Sequence, residues 1–285
     1  MKRKPKRADQ PLLIRVVSDL HAGSTVALCP PKIQLDDGGE YHASKPQLWL
    51  WERWQHFWRE GEQLRRRLDA HCIDLFNGDM TEGDHHKTTQ ILSGNPTAQA
   101  AVVDAVMKVP LATKPDNIVM IRGTEAHVGP SAAFEERIAK GLRKDGWPII
   151  ADEATGNASH WHWTMTHQGV HLDFAHHGKY GSRPNTKFNT VLALAFDIFA
   201  NAALDHRPYP HLAVRSHMHQ FGDTGSLYPT RLIQMPAWQL ATAFIHRINP
   251  GVISHIGGIY ITVVDGKLDV IPQVYKPDPA TPHTL

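Results

Sequence analysis

Asp19 and His21 stand two residues apart just after a short apolar run, and His217 and His219 repeat that spacing behind another. Between them lie Gly78-Asp79, then Gly123-Thr124-Glu125-Ala126-His127, then His176-His177-Gly178, each directly after a run rich in branched or aromatic residues. In Asp-x-His and His-x-His the alternate spacing points both side chains the same way wherever strand geometry continues. Carboxylate and imidazole together suit borderline divalent ions such as Mn, Fe, Zn or Co rather than Ca. A carboxylate such as that of Asp79 can bridge two ions, a recurrent device of two-metal hydrolytic sites. Each fragment alone is a common accident, and a lone Gly-Asp after a strand is usually a turn. In order, each at an expected strand end, they point to one metal site at the carboxyl edge of an α/β sheet.

The elements that must position these residues are short. Leu12 to Val17, Ile73 to Phe76, Asn117 to Ile121 and Leu212 to Arg215 read as buried strands from their branched apolar runs. Trp161 to Thr166 and Val170 to Ala175 read as a hairpin around Gln168-Gly169, and Arg231 to Met235 as a further strand. Gly258 to Val264 and Leu268 to Val274 form a second hairpin through Asp265-Gly266. Pro46 to His71 is the clearest helix, with Leu50, Trp54, Phe57, Trp58, Leu64 and Leu68 on one stripe. Further helices are expected over Pro96 to Val109, Ser131 to Asp145 with Ser131 as N-cap, and Asn185 to Leu204. Ser24 to Ser44, with Pro30-Pro31 and Gly38-Gly39, reads as a long loop. Strand and helix alternate early and strands dominate late, which fits one mixed α/β domain over residues 12–285 behind a basic tail, residues 1–11.

Composition narrows the function classes. The 285 residues are 41% hydrophobic and 20% charged, a globular balance with enough chain to bury a core. A net charge of +2 creates no global field demanding nucleic acid or membrane, although the tail carries Lys2, Arg3, Lys4, Lys6 and Arg7 and could touch nucleic acid. Cys29 and Cys72 are the only cysteines, so a disulfide framework and a Cys-rich zinc site are excluded. The first ten residues contain no apolar segment, and Val191 to Leu204 is short and interrupted by Asp197 and Asn201. A cytoplasmic protein with no membrane partner is expected. The 20 histidines are many, and their pairing rather than their number suggests ligation.

In the order Asp19-x-His21, Gly78-Asp79, Gly123…His127, His177-Gly178 and His217-x-His219, the chain resembles the calcineurin-like metallophosphoesterase superfamily over residues 14–219. The resemblance implies a four-layer α/β/β/α sandwich of two mixed sheets flanked by helices. It implies two divalent metal ions, manganese first, with iron, zinc, cobalt or nickel also suited. Asp19, His21 and His219 would hold one ion, Asp79 would bridge, and His177 and His217 would hold the second. It further implies hydrolysis of a phosphate mono- or diester by a hydroxide bridging the ions, with His127 protonating the leaving oxygen. A nuclease acting on DNA or RNA, or a degenerate scaffold of the same fold, are the alternatives. One motif departs from the family: Gly123-Thr124-Glu125-Ala126-His127 replaces Gly-Asn-His-Asp/Glu, so an Asn ligand is missing. Glu125 is the expected replacement, with water as the other candidate. His176 is expected as a neighbour of His177, Asp84, His85 and His86 at a substrate mouth or in a polar loop, and Trp49, Trp51, Trp54 and Trp58 mostly in the core. Arg122 and Arg183 are weaker candidates for gripping phosphate oxygens.

Overall fold

The structure is a computed structural model and describes residues 9–84, 88–179 and 188–278. Most of the basic tail, His85, His86, Arg183 and the expected helix start at Asn185 lie outside the described residues. In chain order the first half holds β1 (Leu12–Val17), β2 (Lys32–Gln34), β3 (Glu40–His42), α1 (Lys45–Leu68), β4 (His71–Asn77), α2 (Pro96–Leu111) and β5 (Asn117–Ile121). There follow α3 (Glu125–Val128), α4 (Ala133–Lys144), β6 (His162–His167), β7 (Val170–His177), α5 (Asn189–Leu204) and β8 (Leu212–Ser216). The chain closes with β9 (Gly222–Asp223), β10 (Arg231–Gln234), α6 (Ala243–Ile248), β11 (Ile256–Val264) and β12 (Lys267–Tyr275).

β1 is buried along its whole length, as a strand with branched residues on both faces must be. Leu12, Ile14 and Val16 enter one core, while Leu13 and Val17 enter another. This alternation makes β1 the centre of a five-stranded sheet in the order β12-β11-β1-β4-β5. β1, β4 and β5 run parallel, and β11 and β12 are antiparallel additions. A second sheet, β6-β7-β8-β10-β9, has a parallel centre of β7, β8 and β10. Between the sheets Ile14, Val16, Leu75 and Val119 meet Leu172, Phe174, Val214 and Ile233. On the outer face of the first sheet, Leu13, Cys72 and Phe76 pack beneath Trp54 and Phe57 of α1 and Val102 and Val106 of α2. On the outer face of the second, Ala213 and Leu232 meet Val191 and Ala195 of α5. The layers are therefore helix, sheet, sheet, helix, as the resemblance implies. No helix among the described residues is long and apolar enough to cross a membrane.

α1 starts where the Ser44 hydroxyl accepts from the Gln47 N–H and the Gln47 side chain accepts in return from the Ser44 N–H. Trp54 and Trp58 on its inner stripe are buried, and Trp49 and Trp51 pack partly against the same core. Two expectations are corrected. The stretch from Ser24 to Ser44 is not all loop: β2 and β3 pair as a hairpin, with Ile33 opposite Tyr41. The Asp37 carboxylate accepts from the Gly39 N–H to close that turn, and Ile33 and Tyr41 lean on the helix-side core. Ser131 does not cap α4: it lies in the left-handed region at φ 55°, and Ala132 occupies the N-cap position with no side-chain cap bond.

Arg15 is the exception within β1, a charged side chain sent into the helix-side core. Its Nε and Nη2 donate to the two oxygens of Asp74 on β4 at 2.6 and 3.0 Å, and Nη2 also donates to the Thr113 hydroxyl at 2.6 Å. The guanidinium lies 4.9 Å from the Trp58 ring centre. This arrangement requires Gly61 in α1, where a Cβ would stand 2.7 Å from Arg15 Cδ and 3.1 Å from the Tyr260 ring. Glycine to alanine in a helix interior ordinarily stabilises by about 0.8–1.0 kcal/mol. At Gly61 crowding against a guanidinium fixed by three hydrogen bonds reverses the sign, with an expected net loss of about 1–2 kcal/mol. Gly141→Ala in α4, where a Cβ meets open space, should stabilise instead. Thermal denaturation of both variants checks this, and a Gly61→Ala protein melting at or above the parent would contradict it.

Candidate metal centre

Parallel strands of both sheets end at the same edge of the molecule. β1, β4 and β8 lead into Ser18-Asp19, Gly78-Asp79 and His217. The turns after β1 and β4 are tied together, with Asp19 N–H donating to Gly78 O at 3.0 Å and His21 N–H to Asp79 O at 3.1 Å. The neighbouring turn from β8 joins them where His217 N–H donates to Asp19 Oδ2 at 3.3 Å. Asp19, His21, Asp79, His217 and His219 all have positive φ, between 45° and 74°. Asp and His tolerate the left-handed region better than most residues, but each such position still costs about 1–3 kcal/mol. Five of them around one point mark a strained cluster held by its surroundings. Gly123 allows the closest approach: a Cβ there would fall 2.2 Å from Asp79 Oδ1 and 2.3 Å from Asp79 N.

The donor atoms converge in overlapping groups, Asp19 with His21 and His219, Asp79 with His176 and His217, and His21 with Asp79 and His127. Within each group the donor atoms lie within 4.8 Å of one another. His21 Nε2 and His219 Nε2 are 3.1 Å apart. Two nitrogens each about 2.1 Å from one ion and at a right angle would stand about 3.0 Å apart. Asp19 Oδ1 is buried and makes no hydrogen bond, although Nε2 of His219, His21 and His176 lie 3.3, 3.9 and 4.0 Å away. A buried anionic oxygen ringed by imidazole nitrogens suits a cation. The donor set therefore fits divalent ions.

Electrostatics agrees. Burial would raise the pKa of Asp19, but His176 and His219 outweigh it and bring it down to about 2. Asp79 is held well below its ordinary value against burial by His176, His217 and His21. Burial opposes protonation of His176, yet Asp79 and Asp19 raise it to about 10. The buried carboxylates thus favour a proton on His176, and a divalent cation would take the place of that proton.

The expected site residues divide. Asp19, His21, Asp79, His127, His217 and His219 come together. His177 does not join any of these donor groups. It is exposed at the end of β7, its ring 5.4 Å from that of His217. His176 takes the inward place, with Nδ1 donating to Asn77 O at 2.6 Å and Nε2 to Asp79 Oδ2 at 3.0 Å. Strand parity explains the exchange, since Leu172, Phe174 and His176 alternate onto the buried face. Glu125 also stands apart: as the first residue of α3 it is exposed, and its carboxylate accepts from the Ser131 N–H at 2.9 Å. Thr124 occupies the place beside the cluster, its N–H donating to Asp79 Oδ1 at 2.6 Å and its hydroxyl 3.2 Å from His217 Nδ1. Arg122 does not reach the cluster with its charge, which goes to Ser159 and Glu136, under the Trp161 ring.

Two acidic residues escaped the sequence reading. The Glu82 carboxylate lies 2.9 Å from His21 Nδ1 and accepts from Gln239 at 2.7 Å, while its carbonyl accepts from His127 Nδ1 at 2.8 Å. One loop residue therefore orients both rings, and no spacing rule marks it. Burial and then the charge of His21 bring the His127 pKa down to about 4. Glu135 is buried in the first turn of α4, where Oε1 accepts from the Met80 N–H at 3.3 Å and Oε2 has no partner.

No family model matches the sequence, and no curated protein matches it. Among solved structures the chain is similar to vacuolar protein sorting 29 from Cryptosporidium parvum, at 9% identity and a TM-score of 0.43 over 94% of this chain and 100% of that one. It is also similar to a dimetal phosphatase from Danio rerio, at 9% identity and a TM-score of 0.44 over 91% of this chain and 95% of that one. A third is Vps29 from Chaetomium thermophilum, at 12% identity and 0.36 over 96% and 98%. Likeness this low carries no argument about what the chain does; the donor geometry has to.

Glu135 supplies a test that needs no metal. Burial first, and then the nearby Asp79 carboxylate, push its pKa up to about 8, so the folded state keeps a proton that the unfolded chain releases near 4.5. The stability this contributes is whole below that lower value and is lost as pH rises through the higher one. Glu135→Gln removes the loss, so its melting temperature should gain steadily on the parent's between about pH 5 and about pH 9. Parallel curves would contradict a proton on buried Glu135.

Proposed function

We propose that this chain is a metallophosphoesterase of the calcineurin-like type that hydrolyses phosphate mono- or diesters with two divalent ions, manganese first among them. The observation that supports it most is the buried Asp19 Oδ1, 3.3 Å from His219 Nε2, with that nitrogen and His21 Nε2 3.1 Å apart, in a cluster of five left-handed residues. Strain of this kind clusters at active sites and ligand clamps. Asp19, His21 and His219 would hold one ion, and Asp79 would bridge. His176 and His217 would hold the other, with the Thr124 hydroxyl where the family has its Asn. Bound ions would supply Lewis acidity and a water acidic enough to attack phosphorus at neutral pH.

The chain's own residues fix the geometry beforehand. Asn77 O holds the His176 ring, Glu82 holds the His21 ring, and the Thr124 N–H holds Asp79. Outer partners of this kind typically contribute 10–100-fold (roughly) to affinity or rate. His127 lies against His21, ring centres 4.5 Å apart. Glu82 O holds its Nδ1 proton and its pKa is low, so Nε2 would take a proton from the attacking water and pass it to the leaving oxygen, the role we assign it.

Chelation should abolish hydrolysis of p-nitrophenyl phosphate and of its bis ester, and Mn²⁺ should restore it. His176→Ala should lose bound metal and at least about 100-fold in kcat/KM, whereas His177→Ala and Glu125→Ala should keep both. Metal analysis with steady-state kinetics decides, and the reverse pattern would return the ligand role to His177. His127→Ala should keep its metal and lose about 10²–10⁴-fold toward alkyl esters, but much less toward p-nitrophenyl esters, whose leaving group needs no proton. An equal loss for all leaving groups would remove His127 from proton transfer.

A further inference from the structure

α5 is apolar on both of its faces. Val191 and Ala195 turn inward and pack on Ala213 and Leu232 of the second sheet. Asp197 is the only charged residue among its 16. On the outward side Phe196 is 49% exposed and Leu204 77%, and Tyr209 and Leu227 on the flanking segments are 38% and 62% exposed. Ring contacts join these into one surface: Phe196 meets Tyr228 with ring centres 5.6 Å apart, and Phe199 meets Tyr209 at 5.1 Å. A helix that is apolar all round is ordinarily buried all round.

Area and pattern both favour a second copy of this chain as the cover. At about 150–250 Å² for a whole aromatic side chain, and somewhat less for leucine, the four exposed side chains present roughly 400 Å² of apolar surface. A homodimer interface of standard size covers about 800 Å² per partner, about 65% of it apolar, so the patch supplies most of the roughly 500 Å² required. The stripe also complements itself. Ala193, Phe196, Ala200 and Leu204 recur three and four residues apart, so they share one face of the helix. Two such helices laid antiparallel about a two-fold axis at Ala200 set Phe196 of each copy against Leu204 of the other, with the alanines allowing close approach.

The charges follow the same symmetry. Asp197 precedes Ala200 and Arg207 follows it, so each carboxylate approaches the guanidinium of the other copy. The Arg207 N–H donates to Ala202 O at 2.9 Å, which keeps Arg207 beside the last turn of α5. Its guanidinium pairs with Asp205 at 2.8 Å with both side chains exposed, a contact of little worth and readily exchanged.

We propose that this chain forms a two-fold symmetric dimer through the outward face of α5, with the two helices antiparallel. The proposal does not depend on the hydrolase reading. Sedimentation velocity of the full-length protein tests it. The parent should be a dimer with a dissociation constant in the micromolar range or tighter. Phe196→Glu and Leu204→Glu should each give a monomer that keeps the parent's circular dichroism spectrum, since both side chains are exposed. Asp197→Arg and Arg207→Asp should each weaken the dimer, and the two together should restore it, because the pair re-forms with its signs exchanged. A monomer at every concentration up to about 100 μM would overturn the proposal, given the affinities that interfaces of this size reach. So would a dimer indifferent to both glutamate substitutions, or one broken by Phe244→Glu on α6 instead. A double charge exchange that fails to recover the dimer removes the antiparallel arrangement.

Discussion

Two carboxylates, Asp19 and Asp79, are buried side by side at the ends of adjacent parallel strands, and the site depends on neutralising them. Parallel pairing of β1 with β4 sets the two strand ends level, and the hydrogen bonds from Asp19 to Gly78 and from His21 to Asp79 carry that pairing past the strands. Neither carboxylate can retreat to water without unzipping the turns. Positive charge must come to them, and two strands of the second sheet bring imidazoles to this edge: His176 from β7, His217 and His219 after β8. The packing of the two sheets through Ile14, Leu75, Phe174 and Val214 brings the imidazoles within reach. The hydrophobic core and the polar edge are thus one construction, in which apolar burial holds together groups that would otherwise separate.

That dependence explains where the backbone is strained. A strand that ended in a relaxed turn would aim its polar residue outward, whereas a left-handed residue turns the side chain back over the strand end. The cost is borne at five positions around the cluster, and the absent Cβ of Gly123 lets Asp79 lie against the neighbouring turn. Glu82 ties the His21 and His127 rings to a single loop.

Much of this could be read from residues alone, and the misses have physical reasons. The strands were legible because branched apolar runs buried on both faces leave little else to be, and the polar residues after them were legible because strand ends in such sheets are where sites collect. The inward place of His176 was legible in principle: continuing the parity of Leu172 and Phe174 reaches it and passes over His177. Glu125 attracted attention by its charge, but it opens α3, and a helix start throws its side chain outward where it caps Ser131. The β2–β3 hairpin was hidden by strands of three residues, too short for periodicity to register. Glu82 and Glu135 were not legible, since one sits in a loop and the other on a helix, and only the tertiary fold carries them to the cluster.

The central claim is that Asp19, His21 and His219 form one ion site and Asp79, His176 and His217 another. Anomalous diffraction at the manganese edge, from crystals grown with Mn²⁺, tests it most directly. The account predicts two anomalous peaks, one within bonding distance of each set and both touching Asp79. Absence of peaks at saturating Mn²⁺, or a second peak bound by His177 or Glu125 in place of His176, would contradict it.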